Sequence, residues 1–185
     1  MKKHLKLYIP EKIRDEIWRH LMPARLVSEE TAFMFVNHEI KNNAEVFNCL
    51  DWCPVLSDGY HFQSDYHIEL SDKMRAKVIK QAFDLNASLV EFHSHISKLP
   101  AQFSASDFMG FQEFVPHIWW RLKGRPYLAV VVSRTGFDGF VWVKDPETPE
   151  RLDFIVGDNS ILKSTRLSPL RYYLYEKRYS ISLRS

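Results

Sequence analysis

Residues 31–36, TAFMFV, set six apolar or β-branched side chains in succession. A strand with one wet face alternates apolar with polar residues, so an unbroken run of this kind demands a strand buried on both faces. The rest of the chain supplies the cover. In EKIRDEIWRHL, opened by Pro10, residues Ile13, Ile17 and Leu21 recur at helical spacing. In SDKMRAKVIKQAFDLN, capped by Ser71 and closed by Asn86, Met74, Val78, Ala82 and Leu85 form one apolar stripe. A third helix is expected from Ser104 through WWRLKG, kinked or split at Pro116. HLKLYIP, AEVFNCLDW, YHFQSDYHIEL and SLVEFHSH read as further strands, with SDG at 57–59 turning between the second and third of these as in a meander. PYLAVVVS and FDGFVWV form a hairpin around RTG, and RLDFIVG adds a weaker strand. The expectation is an α+β fold in which helices flank a mixed sheet.

At 185 residues and 45% hydrophobic content the chain can bury one proper core. Lys and Arg total 25 against 23 Asp and Glu, a net charge of +2 that signals neither a nucleic-acid partner nor a membrane surface. No apolar run has the length of a membrane span, and MKKHLKLYIPEKIRDEIW is too charged for a secretory signal. Cys49 and Cys53 lack a second cysteine pair to complete a structural zinc cluster and read as two buried thiols. These features point to a reduced, cytoplasmic protein. The chain divides into a domain over residues 1–160 and a basic, Tyr-rich extension over 161–185. That extension is read as packing on the domain or contacting a partner, with its basic residues solvated rather than bound to nucleic acid.

The chemistry concentrates in HSHISKLPAQFSASD, residues 93–107. Side chains two apart on a strand point the same way, so His93 and His95 can present two imidazoles to one ion. Asp107, delivered by the loop that follows, is the nearest candidate for a third ligand. Two imidazoles and a carboxylate leave a fourth position open, which is the pattern of a catalytic zinc site, where a water's pKa falls toward about 7. Each half also has a plain structural reading. S-x-x-D before an apolar run is a helix capping box with Asp for Glu, and strand histidines can bond to backbone. Glu91, two before His93, is read as a surface or structural carboxylate.

HSH, a loop and S-x-x-D together resemble the signature of the JAB/MPN (JAMM) metalloprotease family, over about residues 5 to 145. EETAFMFV is similar to that family's early glutamate and the small-residue, apolar run behind it. The resemblance implies a single JAB/MPN-like domain of cytidine-deaminase-like architecture with a curved mixed sheet. It implies zinc held by His93, His95 and Asp107, with Glu30 as general base and Ser104 donating a hydrogen bond to a developing oxyanion. Ile96 stands where most members have Pro, and the loop to Ser104 holds eight residues rather than seven. Phe33 replaces the family's small residue after the glutamate; a register slip of one would make Glu29 the base, and strand phase favours Glu30.

The same resemblance implies hydrolysis of the bond after the C-terminus of ubiquitin or a ubiquitin-like protein, by precursor processing or deconjugation. Free-standing bacterial JAB proteins, which this chain resembles, accompany activating and conjugating enzymes, some in antiphage defence. The alternative is a metal-free scaffold of the same fold that binds protein partners.

Overall fold

The computed structural model describes residues 3–25 and 27–170. Among these residues the architecture is α+β: a curled mixed sheet with three α-helices. In chain order the elements are β1 (His4–Tyr8), α1 (Glu11–Leu21), β2 (Thr31–Lys41), β3 (Ala44–Pro54), β4 (Tyr60–Gln63), β5 (Ile68–Leu70) and α2 (Asp72–Asp84). There follow β6 (Ser88–Ser94), α3 (Ala105–Arg121), β7 (Tyr127–Ser133), β8 (Gly136–Trp142), β9 (Glu150–Arg151), β10 (Phe154–Val156) and β11 (Ile161–Lys163).

The main sheet has nine strands in the order β11-β10-β1-β3-β2-β6-β7-β8-β9. β1 runs parallel to β3 and β10, and β6 parallel to β7; the other neighbours are antiparallel. As the apolar run requires, β2 is buried on both sides. Phe33 and Phe35 pack into a cluster with α2 and α3, whereas Ala32, Met34 and Val36 pack with Ile17 and Leu21 of α1. Each fully buried side chain of this size contributes about 1.5–3 kcal/mol.

The two ends of the sheet are linked through a short connection. Two residues, Leu152 and Asp153, separate β9 at one end from β10 at the other. The Leu152 N–H donates to Gly139 of β8 (3.0 Å), and the Asp153 N–H donates to Leu5 of β1 (2.9 Å). A Cβ at Gly139 would lie 3.1 Å from the Leu152 side chain and 3.3 Å from the Ala129 carbonyl, so this close approach favours glycine.

Two expectations about elements are corrected, and a third is narrowed. YHFQSDYHIEL is not one strand of a meander; it folds into a separate β4–β5 hairpin, and β1 rather than β4 lies beside β3. Ser64 reverses the chain there, its hydroxyl accepting from the His67 N–H (3.0 Å) and its N–H donating to the His67 carbonyl (2.9 Å). RLDFIVG contributes two strands at opposite ends of the sheet, and Pro116 leaves α3 unsplit. Cys49 and Cys53 are free thiols packed against opposite core clusters; burial pushes Cys49 up to about 11, so it is held as the thiol. Among the described residues no helix is long and apolar enough to cross a membrane. Ile161–Lys163 pairs with β10, and the remainder of the extension from residue 171 lies outside the described residues.

Candidate metal centre

Strand register decides which side chains share a face. His93 of β6 pairs with Thr31 of β2 and with Val131 of β7, and Glu91 pairs with Phe33 and Ala129. Phe33, Ala129 and Val131 belong to the α2/α3 cluster, so His93 and Glu91 point toward those helices. His95 continues the ladder, donating its N–H to the Val132 carbonyl (2.8 Å), and projects from the same side as His93.

Asp107 arrives from the first turn of α3. Ser104 caps this helix: its hydroxyl accepts from the Asp107 N–H (3.2 Å) while Asp107 Oδ2 accepts from the Ser104 N–H (2.6 Å) and hydroxyl (2.8 Å). The capping box fixes the carboxylate's rotamer, and the helix N-terminus favours its negative charge. The loop leading to it is pinned by the segment after β11. Thr165 donates its hydroxyl to the Ala101 carbonyl (2.7 Å), and the Phe103 N–H donates to Ser168 Oγ (2.8 Å). The Ser168 N–H in turn donates to Asp138 Oδ2 (2.8 Å), a fully buried carboxylate that also accepts from Ser164 Oγ (2.7 Å).

The three expected ligands converge. Asp107 Oδ1 lies 3.4 Å from His93 Nε2, Asp107 Oδ2 lies 3.3 Å from His95 Nε2, and one donor atom from each residue falls within 4.8 Å of the others. Asp107 thus turns one carboxylate oxygen toward each imidazole, and two nitrogens with a carboxylate are a donor set that zinc accepts. His93 is 5% exposed, and its buried Nε2 is held by the 3.4 Å ion pair with Asp107 Oδ1 and by no closer hydrogen bond. A single long contact leaves a buried imidazole capacity for a further partner. The group can hold a metal ion.

Electrostatics agree with the convergence. Burial alone would push the His93 imidazole down, but the carboxylates of Asp107, Glu91 and Glu29 outweigh it and raise it to about 9. Burial would likewise raise Asp107, and His93 and His95 reverse this, holding it well below the usual carboxylate range. In the metal-free protein the pair is therefore imidazolium and carboxylate.

The two glutamates exchange places relative to the sequence expectation. Because Thr31 faces His93, the residue two earlier, Glu29, shares that face, and its Oε1 lies 3.8 Å from His95 Nε2. Glu29 is buried, and that burial raises its pKa against the pull of both imidazoles. Glu30 instead takes a hydrogen bond from the Tyr60 hydroxyl (3.3 Å), and its N–H donates to Ser94 Oγ (2.9 Å). Of the two candidate glutamates, Glu29 is thus the one in ion-pair range of His95. Ser104 is exposed and its hydroxyl is engaged by Asp107. Glu91 takes the structural of its two readings: it is half-buried and accepts from the Tyr127 hydroxyl (2.7 Å). Thr31, whose Oγ1 is buried and unpartnered, borders the same space. Neither Thr31 nor the Ser168 anchor carries a sequence signal, since both depend on pairing across distant segments.

No family model matches the chain, and no curated protein matches its sequence. Among solved structures it is similar to the N-terminal domain of STIL from Trichoplax adhaerens, with a TM-score of 0.32 and 10% identity. The match covers 69% of this chain and 36% of that one, and a likeness this weak bears on neither architecture nor activity.

Proposed function

We propose that the protein is a zinc-dependent peptidase of the JAB/MPN type, acting in the cytoplasm on the bond after the C-terminus of ubiquitin or a ubiquitin-like protein. The observation that carries the reading is the convergence of His93, His95 and Asp107 from two separated elements. A zinc ion bound by this set would supply Lewis acidity and a water of lowered pKa, with one position open to substrate.

The chain's own groups have distinct tasks. Glu29, desolvated and 3.8 Å from His95, takes a proton and returns it to the departing amine. Counting from Glu29, the small residue Ala32 falls where the JAB/MPN resemblance wants one, and the mismatch at Phe33 disappears. Ser104 orients Asp107; for its hydroxyl to meet an oxyanion it must exchange that bond for one to substrate. Activating and conjugating enzymes of a bacterial modifier system, including one used in antiphage defence, are the partners this reading suggests.

The scaffold reading rests on one observation: the capping box and the His93–Asp107 ion pair account for Ser104 and Asp107 without a metal. Zinc content of purified protein, with and without His93→Ala, separates the two. One equivalent of zinc in the parent, lost in the variant, together with release of a ubiquitin-like protein ending at its terminal glycine by mass spectrometry, supports the peptidase. Protein that takes up no zinc sinks it.

A further inference from the structure

A small cavity of about 230 Å³ lies at the other end of β2 and β6 from the metal centre, lined by Asn37, His38, Asn86, Ser88, Arg125 and Pro126. Ser88 opens β6 opposite Val36 and stands about 17 Å of strand away from His93. Three connections meet there: β2 where it leaves β6, the turn from α2 into β6, and the turn from α3 into β7.

The lining is rich in hydrogen-bond donors and holds no carboxylate. Arg125 is half-buried, and its Nη1 donates to the Ala82 and Ala87 carbonyls, each at 3.2 Å, while the guanidinium lies 5.8 Å from the centre of the Phe83 ring. Nη1 thereby quiets the end of α2, where bare carbonyls would repel an anion. The N–H groups on Nε and Nη2 find no acceptor among the described residues, and no described carboxylate pairs with this arginine. A planar fork left in that state matches the oxygens of a carboxylate or phosphate. Ser88 is 3% exposed, yet its hydroxyl has no hydrogen-bond partner among the described residues, and it borders the cavity. Buried polar groups ordinarily have one. The side-chain amides of Asn37 and Asn86 are equally unengaged there. Glu45, beside His38, is already shared between Lys3 and His38.

We propose that this cavity is a binding site for a small tetrahedral oxyanion, a phosphate ion or the phosphoryl group of a small ester. Arg125 meets it through Nε and Nη2, and the Ser88 hydroxyl with the Asn37 and Asn86 amides meets it from the other connections. Organic ligands ordinarily occupy upward of about 300 Å³, so a site of this size suits the ion or a terminal phosphoryl group and excludes a whole nucleotide. The site is independent of the peptidase reading.

The test titrates full-length protein with sodium phosphate, and with sodium chloride at matched ionic strength, following the Asn86 and Ser88 amide signals by NMR. Phosphate is expected to shift both signals saturably and chloride to leave them in place. Ser88→Ala should weaken phosphate binding about tenfold, the effect of one hydrogen bond to a charged group, while Tm in chloride stays within about 1 °C because the hydroxyl has no protein partner to lose. Asn86 has φ +52°, so Asn86→Gly keeps the backbone and removes only the amide; it should weaken binding several-fold. His93→Ala should bind phosphate as the parent does. Glycerol 3-phosphate identifies the source: equal affinity points to an ester, and at least about tenfold weaker binding to the free ion, either result upholding the site. Shifts that chloride reproduces, a response that never saturates, undiminished affinity in both Ser88→Ala and Asn86→Gly, or loss of binding in His93→Ala overturns the proposal.

Discussion

Thr31 and His93 face each other across the β2–β6 pair, and this register places Glu29, not Glu30, on the imidazole side. Two adjacent carboxylates thereby acquire different environments. Glu29 is desolvated beside His95, whereas Glu30 is held by Tyr60.

Exchange of each glutamate for glutamine separates their roles. Glu29→Gln is expected to retain zinc and lose about 10²–10⁴-fold in turnover, the usual yield of a positioned general base. Glu30→Gln should stay within about threefold of the parent, because removing it touches only the Tyr60 and Ser28 contacts. Steady-state cleavage of a ubiquitin-like fusion, with zinc content measured alongside, decides it; equal loss in both variants contradicts the assignment.

Ser104→Ala removes the cap and the group that orients Asp107. Stability should fall by about 1 kcal/mol in urea denaturation, typical of a lost N-cap. Zinc affinity, measured by chelator competition, should fall about 10–100-fold, as when a ligand's outer partner is deleted. A stability loss with unchanged affinity would mean that the cap serves the helix alone.

The metal-free protein should lose stability as pH rises through about 9. His93 is raised from 6.5 to about 9, so its pairing with Asp107 is fully present below 6.5 and fades as the proton leaves. His93→Gln should flatten this dependence in unfolding experiments between pH 6 and 10. A metal ion replaces that proton, so at pH 7 binding should release about one proton, read from calorimetry in buffers of different ionisation enthalpy.

Gly139→Ala should cost about 1–3 kcal/mol through overpacking, because its Cβ would press on Leu152 and on the Ala129 carbonyl with backbone on one side. Equilibrium unfolding measures this, and zinc uptake by the folded variant should be normal.

Much of this was legible in one sequence because it is written locally. TAFMFV announces a doubly covered strand, Ser71 and Ser104 announce helix starts, and HSH with S-x-x-D announces the three side chains that converge. What was missed depends on partners far along the chain. The face on which Glu29 falls needs the register against β6, which no count along β2 alone provides. The β4–β5 hairpin turns on Ser64, whose bonds to His67 resemble any polar patch in print. The curl passes through two residues between very short strands, below the length at which alternation can be seen.

The bond from Phe103 to Ser168 reaches past the last strand to steady a loop more than sixty positions earlier. The alignment of His93, His95 and Asp107 is consequently a property of the packed domain and not of the motif. A shortened chain ending just after β11 would keep all three side chains yet lose the bracket that aims Asp107, and grafting residues 93–107 into another scaffold would transplant the donors without their alignment.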